Sequence, residues 1–399
     1  MKALVRLAVM VLISPALLAQ TATGQTTTQS KPGGSKPAST QAAGATASTP
    51  ASQPANKSTG ASAQTSKPKE KVPYPIMSDA AKQRARQLCD YFIHSETSSF
   101  YGAFSAAFKK SVPESKVVAA SKEMSTQLGT PGQTIAEGFT PDLLQPTTVY
   151  SRTLQYSKPK VPVMVVISVD EQGEIDRQPQ VVGVPDTPRD PYSDYQDTVK
   201  LRLPFDGTWM VAQGGRNIYE NAFASSDEYR YTVLFIDVKD GRAFDGDGKR
   251  NFDFYCYGQP VLAPAAGKVM QVVNTQADHP PGHATELPSQ GNFIVIAHGN
   301  QEYSMIPYLK QGSIKVKPGQ RVKQGDVIGQ CGDSGSTLAP HIEYRLQNTA
   351  GFPAPVTLPA QFVDYVADGK DVTIGEPLRG QMVSNQKQAA AAETAAKPQ

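Results

Sequence analysis

Residues 20–71 contain no valine, isoleucine, leucine, methionine, phenylalanine, tryptophan, tyrosine or cysteine. A stretch with nothing to bury cannot offset the entropy lost on ordering. It predicts a disordered spacer rich in Ser, Thr, Ala, Gln and Pro, running over 20–76. What precedes it follows a different logic. Lys2 and Arg6 lead an apolar run from Leu7 to Leu18, and Ala19 follows. That is the order of a secretory signal peptide, residues 1–19, whose apolar run is too short to span a bilayer. The chain is expected to be exported, to the periplasm, the cell surface or the medium, with no transmembrane helix after cleavage.

Charge and cysteine content narrow the field further. Lys+Arg 39 against Asp+Glu 36 leaves a formal net charge of +3, too balanced to imply nucleic acid as a partner. Cys89, Cys256 and Cys331 are too few and too scattered for a disulfide framework or a CxxC zinc site. One pair can bridge, which leaves a third thiol; the plainer reading is three buried small apolar residues.

Folded sequence is expected from Met77. Ser78 is placed to cap a helix whose apolar residues are Ala81, Ala85, Leu88, Cys89, Phe92 and Ile93. A second helix is expected over 98–110. Ser111 and Glu114 have the spacing of a capping box, with Pro113 in the first turn, and Gly129 closes that third helix. The period then changes. Thr147–Tyr156 and Val161–Val169 are β-branched and aromatic, followed by a turn at Asp170–Gly173. Helices first and strands afterwards predict a small α+β domain over 77–183. Its phrases Phe100-Tyr101-Gly102-Ala103-Phe104 and Val169-Asp170-Glu171-Gln172-Gly173 resemble small bacterial modules of the nuclear-transport-factor-two-like or cystatin-like kind. Its one histidine, His94, ends the first helix, and no catalytic constellation accompanies it.

Residues 184–200, with Pro185, Pro188 and Pro191, read as a linker, and residues 381–399 as a disordered tail. Between them, over 201–380, short apolar runs recur between Gly and Pro: Thr232–Val238, Pro260–Ala263, Lys268–Val273, Phe293–His298, Ser313–Val316 and Asp326–Gly329. That is the pattern of an all-β domain of short antiparallel strands, in a sandwich or open barrel.

Several phrases in that region are ordered as in a known family. They are Gly258–Val269, Gly291–Gly299, Gly312–Gly329, Gly332-Asp333-Ser334-Gly335-Ser336-Thr337 and Pro340-His341-Ile342-Glu343-Tyr344. The segment resembles the LytM/lysostaphin-type zinc endopeptidases, which cut peptide cross-links in bacterial peptidoglycan. The resemblance implies two antiparallel sheets in a duplicated-hairpin barrel or sandwich. It also implies a zinc ion held by a His, by an Asp four residues on or further in some branches, and by the second His of a His-x-His strand, with a water in the open position.

Carried over residue by residue, that ligand set is not retained. His341 matches the proton-handling His of the closing strand, and Glu343 stands where the metal-binding His belongs. Residues two apart on a strand face one side, so both are expected in one groove. Tyr308 replaces the second groove His, and a neutral tyrosine is a poor base. The Asp position falls on Leu234 and the first His position on Phe223, neither of which can ligate a metal. Asp237 lies three residues past Leu234, which turns it to the opposite face unless a bulge intervenes. His279 and His283 fall in a proline-rich loop placed at the groove's rim, where loop histidines are usually solvated; His298 reads as structural. Asp245-Gly246-Asp247-Gly248 suggests calcium, but the twelfth loop position is Cys256 rather than Glu, so a polar hairpin tip fits better.

These readings lean away from an enzyme. The expectation is a metal-less member of the fold that binds peptidoglycan or docks to a cell-wall amidase, presenting Phe223, Tyr308, His341 and Glu343 in its groove. The alternative is an active zinc endopeptidase that recruits Asp237, Glu343 and His279 or His283. A third possibility leaves all binding to residues 77–183.

Overall fold

The computed structural model describes residues 73–185, 188–226, 228–283, 289–351 and 355–386. The signal-peptide reading and nearly all of the spacer lie outside them.

The first domain opens with α1 (Asp79–Ile93), where the Ser78 side chain accepts from Ala81 N as expected. Its buried stripe is Ala81, Ala85, Leu88, Cys89 and Ile93. The helical stretch after it divides into α2 (Thr97–Gly102) and α3 (Ala106–Ser111). The division has a local cause: Phe104 bridges to Ile175, and the Ser105 side chain accepts from Phe108 N to start a new helix. The capping box does not form. Ser111 ends α3 and donates to Phe108 O, and Pro113 is itself the N-cap of α4 (Glu114–Leu128). The sheet is antiparallel in the order β1 (Pro131–Pro141), β2 (Thr147–Tyr156), β3 (Val163–Asp170), β4 (Gln180–Gly183). β1 was not anticipated: it is an edge strand in which only Pro141 is buried, so it lacks an apolar alternation. Residues 73–76, read as spacer, are anchored at two points instead: Tyr74 N donates to Glu171 O, and Ile76 is buried.

The second domain is one long antiparallel sheet with a satellite ladder of two strands distant in sequence. Its strands are β5 (Thr208–Gln213), β6 (Val233–Ile236), β7 (Pro260–Leu262), β8 (Gly267–Val273), β9 (Asn292–Gly299), β10 (Glu302–Leu309), β11 (Arg321–Val322), β12 (Val327–Gln330), β13 (Ile342–Gln347), β14 (Thr357–Leu358), β15 (Phe362–Ala367), β16 (Lys370–Gly375) and β17 (Met382–Asn385). The order is β11-β8-β9-β10-β13-β6-β5-β17-β15-β16, with β14 on β13 and β12 paired to β7. Strand β17 lies inside the residues read as a tail, yet it pairs with both β5 and β15 and buries Val383. Residues 313–316 form no strand; Lys315 N bonds Ile328 O without a ladder. One core cluster joins Phe205, Trp209, Phe235, Val269, Ile296, Tyr344 and Phe362.

The linker is partly docked. Tyr192, Tyr195 and Val199 pack on this core, and the buried Glu302 carboxylate accepts from Tyr195 Oη, Thr198 N, Thr198 Oγ1 and Val199 N. The two domains touch where Leu143 and Leu144 pack with Phe244, Phe254 and Ala339, and where Arg242 pairs with Glu171. Cys256 and Cys331, 75 residues apart in sequence, are bridged, and Cys89 is a buried free thiol. The bridged pair was the less favoured reading of the cysteines. Among the described residues no helix is long and apolar enough to cross a membrane.

Candidate functional site

Strand β13 sorts its side chains by alternation. Ile342, Tyr344 and Leu346 enter the core cluster, which puts His341, Glu343 and Arg345 on the other face. Across the β6 ladder Glu343 is in register with Leu234, and across the β10 ladder Arg345 is in register with Met305. Tyr308 reaches the same place by another route. The β9–β10 register shifts between Ile306 and Leu309, and Tyr308 takes φ 62°, uncommon for a bulky side chain. Its ring centroid lies 5.6 Å from that of His341.

The feature that sequence reasoning missed is Arg345. Its Nε donates to Glu343 Oε1 at 2.7 Å, and its Nη2 also meets that carboxylate. Its Cζ lies 4.5 Å from the Tyr229 ring centroid, a cation–π contact. Burial works to raise the Glu343 carboxyl, but the Arg345 guanidinium, with help from His341, holds it below its usual value. Burial likewise pushes the Tyr308 phenol up, and the Glu343 charge adds to it, so Tyr308 stays neutral. A signal was available: His341, Glu343 and Arg345 are spaced i, i+2, i+4, and a base beside a carboxylate on one strand face predicts a pair.

His341 has a defined orientation. Its Nδ1 lies 2.9 Å from Ala339 O and 3.1 Å from Thr337 Oγ1. A carbonyl only accepts, so Nδ1 carries a hydrogen. Nε2 then faces Glu343 Oε2 at 4.0 Å.

Two expectations need correction. Tyr308, His341 and Glu343 were expected to be presented in an open groove, but they are 2%, 6% and 1% exposed, sealed under their neighbours. Phe223 is only half-buried, on a 3-10 turn, Ala222–Ser225, held by Asn221. The second correction concerns His279, which is not solvated. Its Nε2 lies 2.7 Å from Gly335 O, and its Nδ1 3.7 Å from Asp333 Oδ2. Asp333 is fully buried, and burial, then the charge of Asp278, pushes its carboxyl up to about 8. His298 is structural, bonded to Ala266 O and Ser304 Oγ. Residues 245–248 form a turn with Gly246 and Gly248 at positive φ.

The residues do not fit a zinc ion. Of the expected ligand positions, Phe223 and Leu234 offer no donor atom, and Glu343 is already engaged by a guanidinium. Asp237 follows the end of β6, and His283 is exposed. Among the described residues no three His, Cys, Asp or Glu side chains form a group able to hold a metal.

The model of peptidase family M23 matches residues 249–354. The peptidoglycan DD-endopeptidase ShyA of Vibrio cholerae is 36% identical over 89 residues, 22% of this chain and 17% of that protein. An uncharacterized metalloprotease of Haemophilus influenzae is 33% identical over 104 residues, 26% of this chain and 19% of that protein. The chain thus spans less than a fifth of the length of these curated relatives. Among solved structures, the catalytic domain of the prophage-encoded M23 protein EnpA from Enterococcus faecalis is 17% identical. It covers 40% of this chain and 95% of that chain, with a TM-score of 0.26. A zinc-containing peptidase from Vibrio cholerae is 16% identical, covering 64% of this chain and 68% of that chain, with a TM-score of 0.26. This chain carries a domain of peptidase family M23, of the LytM type.

Proposed function

We propose that the chain is an exported cell-envelope protein whose M23 domain binds peptidoglycan, or regulates a cell-wall hydrolase such as an amidase, without cutting the wall itself. The buried Glu343–Arg345 pair carries this reading. A guanidinium beside the one carboxylate of the floor repels a divalent cation and already neutralises the charge that would attract it. Leu234 opposite adds an apolar wall rather than a ligand. What ShyA is named for supports a cell-wall ligand. The Cys256–Cys331 bridge supports an oxidising compartment, as export requires.

The test is zinc content by elemental mass spectrometry on the purified protein, before and after zinc loading, together with co-sedimentation on sacculi and stimulation of an amidase. Absent zinc with sacculus binding or stimulation is the expected result. The second reading, a zinc endopeptidase with rearranged ligands, draws on the names of the relatives. Stoichiometric zinc and chelator-sensitive release of muropeptides would establish it instead.

A further inference from the structure

With the floor sealed, a ligand must meet the domain at its rim, and one rim feature has the make-up of a sugar site. Phe252 is 80% exposed, the highest value among the described large hydrophobic residues. Leaving a phenyl ring in water forgoes the favourable burial of its apolar surface. Nor is the ring on a loose loop. It belongs to the 3-10 turn Asn251–Asp253, whose Asn251 Nδ2 donates to His279 O at 2.8 Å. Arg250 N donates to Asp253 Oδ2 at 3.0 Å, and Asp245 N donates to Asp253 O at 2.8 Å. The flanking Phe244 and Phe254 anchor the turn in a buried cluster.

The ring also has companions. Tyr257 stands edge-on to it with centroids 5.0 Å apart, and donates its hydroxyl to Asp278 on the rim loop. Lys310 Nζ sits 5.5 Å from the Phe252 centroid and 4.8 Å from that of Tyr257. Phe252 also lines a surface cleft of about 420 Å³, together with Tyr255, Lys239, Asp245 and Arg250. That volume lies in the range of small-ligand sites, roughly 300–1,000 Å³.

We propose that this cleft is a saccharide subsite, taking a neutral pyranose ring of a glycan strand against Phe252. The chemistry is complementary on both counts. The negative face of an aromatic ring attracts the polarised C–H face of a pyranose. Carboxylate and cationic side chains beside it accept from and donate to hydroxyl and acetamido groups. Acids and bases are balanced there, Lys239 and Arg250 against Asp245 and Asp253, so the cleft favours a neutral polyol over an anion or a cation. The inference rests on the cell-wall reading only for the source of the glycan.

The experiment uses the mature chain and a β-1,4-linked N-acetylglucosamine tetramer, followed by saturation-transfer NMR and titration. Transfer to the ring protons of the sugar is expected, with Phe252→Ala weakening binding at least tenfold and Phe252→Trp retaining it. No transfer to the wild-type protein overturns the proposal, as does unchanged affinity in Phe252→Ala. So does a monomer–dimer shift on that substitution, which would assign the ring to a second copy. Sacculus co-sedimentation separates the two readings. Sugar binding with neither sacculus binding nor amidase stimulation defeats the proposed function alone, and sacculus binding without sugar binding defeats the subsite alone.

Discussion

Arg345 and Glu343, two residues apart on one strand face, form an ion pair in which neither side chain is more than 2% exposed. Removing one member strands the other in a low-dielectric site. Arg345→Met is expected to cost about 3–5 kcal/mol. The double variant Arg345→Met with Glu343→Gln should recover part of that loss, because no bare charge remains buried. Urea unfolding of the two single variants and the double variant measures the coupling. Additive losses would mean that the pair is not coupled.

Asp333 gives the domain a pH dependence of known sign. Its carboxyl is raised from 3.8 to about 8 by burial and by Asp278, with His279 and Thr337 facing it as well. The folded state therefore holds this proton more tightly than the unfolded chain. The contribution is fully present below about pH 4 and is lost as pH rises through about 8. Asp333→Asn keeps the neutral shape and cannot ionise. Its urea midpoint should fall less than that of the wild type between about pH 5 and about pH 9. Parallel profiles would show that Asp333 is charged throughout.

Which of these features the sequence could disclose depends on how far apart the partners lie. The Ser78 cap and the stripe Ala81, Ala85, Leu88 are set within a few residues, and the structure keeps them. The runs at β7 and β9 are bounded by Gly or Pro and largely buried, so pattern alone located them; β8, buried only at Val269, was marked by its β-branched residues and its opening Gly267. β17 is different: four residues are too few for a period, and its place comes from β5 and β15 on either side. Strand alternation put His341 and Glu343 on one face, but a face says nothing of depth. Burial of Tyr308 depends on a bulge and a positive φ that only the β9–β10 register imposes.

The Cys256–Cys331 bridge closes a separation of 75 residues. Constraint of the unfolded chain by such a loop contributes about 4.5 kcal/mol in the chain-entropy account. Reduction under native conditions should lower the unfolding midpoint sharply, and Cys256→Ser with Cys331→Ser should reproduce the loss without reductant. Cys89 is buried and its thiol is pushed up by burial to about 12. It should resist iodoacetamide until the first domain unfolds. Labelling of one thiol in the folded, non-reduced protein would contradict the burial of Cys89, and labelling of three thiols after unfolding without reductant would contradict the bridge.

Glu302 decides whether residues 195–199 behave as linker or as part of the domain. Its carboxylate gathers two backbone N–H groups and two hydroxyls from Tyr195, Thr198 and Val199, and Asn300 Nδ2 donates to Thr198 Oγ1 beside it. Glu302→Ala leaves those donors without an acceptor, at a cost of roughly 3 kcal/mol. Glu302→Gln keeps an acceptor but turns an amide toward the same donors, so it should fall between the two. Hydrogen exchange reads the effect directly. The amides of Thr198 and Val199 should be protected in the wild type and exchange rapidly in Glu302→Ala, while those of β9 keep their protection. If Thr198 and Val199 exchange freely in the wild type, the segment is a true linker and the first domain is tethered rather than docked through it.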